Sequence, residues 1–109
     1  MWVVEATLRP DKRHRYKRRT FYLDEDTWQV VMEEDYDSKD QLWRFGDHHT
    51  MQFYDVLVPW YRATVHYDFK SGAYLVSDLE NETDFPRQWG WTGDLNDFLP
   101  VNLRRLGTR

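Results

Sequence analysis

Between Trp60 and Phe69 the chain alternates almost without a break. Tyr61, Ala63, Val65, Tyr67 and Phe69 fall on one side of an extended backbone, and Arg62, Thr64, His66 and Asp68 on the other. A period of two with one dry and one wet side predicts a half-buried β-strand. The same pattern recurs along the chain. Trp2 to Leu8 reads as a strand whose first residues are apolar on both sides, as in a covered central strand. Arg15 to Leu23 reads as its partner, across a turn at Arg9-Pro10-Asp11-Lys12. Trp28 to Glu34 follows, with Trp28, Val30 and Met32 expected on one face and Gln29, Val31 and Glu33 on the other. Gln41 to Phe45, His48 to Val58 and Ala73 to Leu79 complete the series, with Pro59 marking a bend or an edge. Polar turns at 24–27, 36–40 and 70–72 separate these runs. Strands of this length joined by tight polar turns predict an all-β antiparallel meander of five to seven strands over residues 1–80.

After Glu80 the alternation stops. Residues 81–94 hold Pro86, Gly90 and Gly93 around Trp89 and Trp91, and predict a loop or arm pinned by its tryptophans. Pro100 and Gly107 then punctuate a short helix, Pro at a first helical position and Gly at a C′ position. Leu103 and Leu106 share a face of that helix, and Arg104 and Arg105 favour its C-terminal dipole. Residues 81–109 are thus expected to belong to the same domain as the meander.

Composition adds three things. Of the 109 residues, 17% are aromatic, which suits flat side chains packing on a pleated surface. Cysteine is absent, so disulfides, thiolate catalysis and cysteine-based zinc sites are excluded. No apolar run approaches the roughly 20 residues of a spanning helix. Strand-like residues follow Met1 directly, so a signal peptide is not expected in this chain. The net charge of -4 is uneven: residues 9–19 carry seven of the 15 basic side chains and a single acid, Asp11.

Four signals invite a chemical reading. The basic stretch offers Arg13, Arg15, Lys17 and Arg18 to anionic headgroups or a membrane surface, although a hairpin tip also needs solvated side chains. Tyr16 is its one aromatic and no nucleic-acid motif surrounds it, so a nucleic-acid partner is not expected. His48 and His49 point to opposite faces of a strand and cannot chelate together; one of them with His66 across strands and Asp47 or Asp68 is the remaining metal reading, but zinc needs three or four ligands in fixed geometry and ordinary polar contacts are favoured, so no metal or other cofactor is expected. The acidic runs 24–26 and 33–35 and the pair Glu80 and Glu82 read as solvated or turn-capping groups and not as a catalytic pair. Ser38, Ser71 and Ser77 lack a nucleophile-elbow context. The chain is therefore expected to be non-enzymatic. Trp28, Val30, Met32, Ala63, Val65, Tyr67 and Phe69 are candidates for the floor of an apolar ligand site, with a plain packed core as the alternative.

The segments WVVEATL, RRTFYLDEDTWQVV, YDSKDQLWR, YDVLVPW, YDFKSGAYLV and FLPVNLRRLG, with Arg13-His14-Arg15-Tyr16 at a hairpin tip, resemble in order the C-terminal part of one Gram-negative family. It is the outer-membrane lipoprotein-sorting-like family (domain of unknown function 1329). The resemblance implies a fold like that of the lipoprotein carriers LolA and LolB, a curved antiparallel half-barrel. It implies a place in the periplasm or at the outer membrane, and a C-terminal fragment of a longer protein. Where the family's tail has Thr or Ser before the proline, this chain has Leu99, so the helix is expected to start less firmly. The expected role is binding or carrying a lipid, a lipoprotein acyl chain or other apolar cargo. The rival is an interaction module that pairs with an envelope transport partner, or with itself, through an exposed edge near residues 2–8. A hydrolase using the acids with His48, His49 or His66 is the least favoured.

Overall fold

A computed structural model describes residues 1–82, 84, 87–90 and 92–107. Six strands form one antiparallel sheet in sequence order: β1 (Trp2–Thr7), β2 (Arg18–Leu23), β3 (Val30–Tyr36), β4 (Leu42–Phe53), β5 (Val58–Asp68) and β6 (Ala73–Ser77). A 3-10 turn (Leu95–Phe98) and a short helix, α1 (Pro100–Leu106), follow. Each strand pairs with its neighbour in sequence, as short polar connections require. The architecture is the all-β curved antiparallel meander with a short C-terminal helix that the alternation and the resemblance predict.

The turns explain themselves chemically. The Asp24 carboxylate accepts hydrogen bonds from the backbone N–H and the hydroxyl of Thr27, and the backbone closes with Asp24 N–H on Gln29 O and Trp28 N–H on Asp24 O. Asp37 accepts from the N–H groups of Lys39 and Gln41, and Asp68 from those of Lys70 and Ser71. All three are Asx-type turns.

Three bulges change which side chains share a face. Tyr22 pairs with Met32 but Leu23 pairs with Val30, so Val31 is an extra residue. Trp43 is extra between Tyr36↔Leu42 and Asp35↔Arg44. Arg62 is extra between His49↔Ala63 and Thr50↔Tyr61. Each insertion resets the period of two. Val30 and Met32, expected together, therefore lie on opposite faces, and so do Tyr61 and Ala63. Trp28 is not in a strand: it ends the β2–β3 turn at φ 59 and stacks on Trp2 with ring centroids 6.1 Å apart.

Other boundaries shift too. The run 41–45 and the first part of the run 48–58 merge into one 12-residue strand, β4; the chain then turns at 54–57 with Leu57 at φ 56, and Val58 opens β5. Pro59 is the second residue of β5; β6 reaches β5 only over Thr64 to Asp68, so the missing N–H of Pro59 faces no strand on that side. β1 is an edge and not a covered strand, and all six of its residues are exposed. The 3-10 turn was not expected; Asp94 and Asp97 form a reciprocal capping box around it. Leu99 caps α1 without a side-chain hydrogen bond, and Gly107 ends it at φ -83 and not in a left-handed C′ conformation. The arm is held by Arg87 on Glu80 and by Trp89 against Phe53, 5.1 Å between rings. Trp91 and Pro86 lie outside the described residues.

One layer leaves little interior. Among the described residues Tyr16 is the one buried hydrophobic side chain, beside the polar Thr20, Asp35, Asp37 and Thr64. The radius of gyration is 17.5 Å, against about 13 Å for a packed domain of this length.

Candidate functional site

The registers sort the side chains into two faces of different chemistry. On the first, the cross-strand row Tyr22, Met32, Asp47, Val65, Val76 runs from β2 to β6. Beside it run Glu34, Phe45, Tyr67 and Tyr74, and Ala63 pairs with His49 one step further along β5. Phe45 and Tyr67 lie 6.2 Å apart, and Phe69 stacks on Tyr67 at 6.5 Å with ring planes 7° apart. The β4–β6 half of this face is apolar apart from Asp47 and His49, which pair at 3.3 Å on β4, and among the described residues its outer part is uncovered: Tyr67, Phe69, Tyr74 and Val76 are all exposed. The β2–β3 half is polar, with Glu34 accepting from the hydroxyls of Tyr22 and Tyr36.

The opposite face carries alternating charge. Arg19, Asp35, Arg44 and Asp68 form one row across β2 to β5. Arg19 Nε lies 3.1 Å from Asp35 Oδ1, although too far off line to be a hydrogen bond, and Arg44 Nε donates to Asp68 at 3.1 Å. Opposite charges in adjacent cross-strand positions stabilise a sheet. Arg44 also donates to the Tyr16 hydroxyl at 2.9 Å, and the Arg19 guanidinium lies over the Tyr16 ring. In the next row Gly46 stands between Glu33 and His66. A Cβ there would meet His48 Nε2 at 3.0 Å, so glycine makes room for the imidazole. Above Gly46 opens a cavity of about 490 Å³ lined by the charged row, Glu33, His66, Tyr74 and Leu75.

These surroundings shift the acids in opposite directions. Burial, then the charge of Glu33, pushes Asp35 up to about 6 despite Arg19. The Lys70 ammonium and the Gln41 and Lys39 N–H groups pull Asp37 down to about 2. The Ser71 N–H, then the Arg44 guanidinium, does the same for Asp68, to about 2. His48 is lowered by burial and by His66, whose ring centroid is 5.8 Å away. Among the described residues no three metal-ligating side chains gather.

Of the apolar candidates, the sheet brings Met32, Ala63, Val65 and Tyr67 onto one face, with Phe69 stacked beyond. It places Val30 on the other face and Trp28 in a turn. The same face adds Phe45, Tyr74 and Val76, which alternation alone did not single out because Phe45 lies beside a bulge. Of the basic candidates, Arg13, Arg15 and Lys17 are exposed. Arg18 is held by Glu5, Asp40 and the Tyr36 ring, 3.6 Å from its guanidinium carbon. The Arg19–Asp35–Arg44–Asp68 row has no signal along the sequence, since four strands supply one residue each.

A family model for proteins of unknown function, DUF1329, matches residues 1–104. An uncharacterised protein of Pseudomonas aeruginosa is 41% identical over 109 residues, all of this chain and 24% of that protein. The chain thus spans about a quarter of the curated relative it matches. A crystal structure of an outer membrane lipoprotein-sorting protein domain from Vibrio parahaemolyticus superposes with a TM-score of 0.57 at 22% identity, over 93% of this chain and 40% of that one. That likeness carries the fold alone, an open antiparallel sheet. The chain belongs to the DUF1329 family.

Proposed function

We propose that this chain is part of a non-enzymatic cell-envelope protein, in the periplasm or at the outer membrane. In this reading the β4–β6 half of its apolar face accepts a lipid, a lipoprotein acyl chain or other apolar cargo. The observation that carries the reading is the strip of Phe45, Ala63, Val65, Tyr67, Phe69, Tyr74 and Val76 on one side of the sheet, with Tyr67, Phe69, Tyr74 and Val76 exposed; Met32 lies on the same face across Asp47. The likeness in fold to a lipoprotein-sorting domain supports it. An acyl chain laid on this strip gains about 0.8 kcal/mol per buried CH₂, so about ten buried methylenes are needed to supply the roughly 8 kcal/mol of a micromolar complex. Val30 and Trp28, away from the strip, have no part in this floor.

The test is displacement of an environment-sensitive apolar fluorophore from the full-length protein. Val65→Asp places a carboxylate in the middle of the strip and is expected to weaken probe binding by roughly tenfold or more. Leu75→Asp, one strand over on the opposite face, leaves it unchanged. Equal effects of the two substitutions would contradict the assignment of the face.

A second reading has its own observation. β1 is an edge with all six residues exposed, and such an edge accepts a strand from a partner or from a second copy. A protein that takes up no apolar probe but captures an extended peptide along β1 would favour it.

A further inference from the structure

The register row Thr7, Arg18, Tyr36, Leu42 closes one end of the sheet. The connections 8–17, 37–41 and 69–72 all leave by that end. Charge is divided between the two ends. The opposite end carries the acids Asp24, Glu25 and Asp26 of one turn and Asp55 of another. At the near end the acids are engaged: Asp11 by Lys12, Asp40 by Arg18, Asp37 by Lys70 and Asp68 by Arg44. Five cations of this end, Arg9, Arg13, Arg15, Lys17 and Lys39, are exposed and form no ion pair among the described residues. Lys39 comes from a different connection than the other four, and Arg18 is not among them because it is already paired. In a chain of net charge -4, this is a concentrated positive rim.

The rim adjoins the apolar strip. Phe69, in the β5–β6 connection, has its N–H on Trp43 O and its ring stacked on Tyr67, and both it and Tyr74 are exposed. A ring of cations beside exposed aromatics matches a bilayer surface, with anionic phosphates outside and acyl chains within. We propose that this end of the sheet, with Lys39 and the tip residues Arg9, Arg13, Arg15 and Lys17 as its contacts, docks on an anionic phospholipid surface, so that the strip opens end-on toward the acyl layer. This deepens the cargo reading, from which it takes only the bilayer as the source of cargo.

The experiment is flotation of the full-length protein with two kinds of vesicle, phosphatidylcholine alone and an equal mixture with phosphatidylglycerol. Binding is expected to the mixed vesicles alone and to weaken as salt screens it. Each of Arg13→Ser, Arg15→Ser and Lys17→Ser lowers it about fivefold, and Lys39→Ser does so by the same factor. Asp55→Lys, which adds positive charge at the far end, changes nothing. Equal binding to neutral vesicles, full binding by Lys39→Ser, or a gain by Asp55→Lys as large as the rim losses would overturn the docking end. Loss of vesicle binding to inorganic phosphate at constant ionic strength, or tighter capture of a single-stranded oligonucleotide, would overturn the bilayer as partner. The rim variants keep uptake of the apolar fluorophore in solution. A protein that floats but takes up no probe leaves the rim standing and removes the cargo reading; the converse removes the rim.

Discussion

Asp35 shows how position, and not residue type, sets the chemistry of an acid in this sheet. It stands among seven acids in the stretch from Asp24 to Asp37, and it is pushed up to about 6 by burial and by Glu33. Asp37, two residues on, is drawn down to about 2 by Lys70 and its turn N–H groups. The consequences for stability have opposite signs. What Asp35 contributes is complete below the ordinary carboxylate value near 3.8 and is lost as pH rises through about 6. What Asp37 and Asp68 contribute is present above 3.8 and is lost as pH falls toward about 2. Carboxyl-carbon NMR titration is expected to find the Asp35 midpoint near 6 and to see it fall in Glu33→Gln, whose charge is the second cause of the shift. An Asp35 midpoint in the ordinary carboxylate range would show that the charged row is open to water.

At the scale of elements, Tyr16 does for the β1–β2 connection what the capping aspartates do for the shorter turns. It precedes β2, is buried, meets the Trp43 ring edge-on at 5.7 Å, and takes the Arg44 hydrogen bond on its hydroxyl. Tyr16→Phe leaves the packing and orphans the guanidinium N–H, a loss of about 1–2 kcal/mol in chemical denaturation. Tyr16→Ala costs about 3–5 kcal/mol and speeds amide exchange across residues 9–17. Unchanged exchange there would mean that the connection is held by its backbone alone.

Elements were also where the sequence was most and least informative. Strands and turns were legible because Asp24, Asp37 and Asp68 announce turns, and because period two is unbroken from Ala63 to Phe69. Which side chains share a face was legible only between bulges. Val31, Trp43 and Arg62 are ordinary strand residues by type, so nothing local marks them as extra; the pairing partner decides. That is why Val30 parted from Met32 and Tyr61 from Ala63. Trp28 parts from the pattern for a related reason: a bulky aromatic at φ 59 is rare, so its residue type points to a strand and not to the turn it ends. The charged row on the polar face had no one-dimensional signature, and neither did Lys39's place beside the basic tip.

The whole molecule is a single layer. A sheet buries its apolar side only against a second layer, and among the described residues both faces and the side chains of α1 stay open: Leu103 and Leu106 of the helix are exposed, and α1 packs on the 3-10 turn and on none of the six strands. With about a quarter of its Pseudomonas relative's length, the chain supplies one sheet, one apolar strip and one positive end. The central claim is that the strip holds apolar cargo. Native mass spectrometry of the full-length protein, purified gently from a Gram-negative host, tests it most directly. The account predicts a co-purifying lipid or acylated peptide in the wild type, depleted in Val65→Asp and retained in Leu75→Asp. A ligand-free wild type, or one whose bound lipid is indifferent to Val65→Asp, would contradict it.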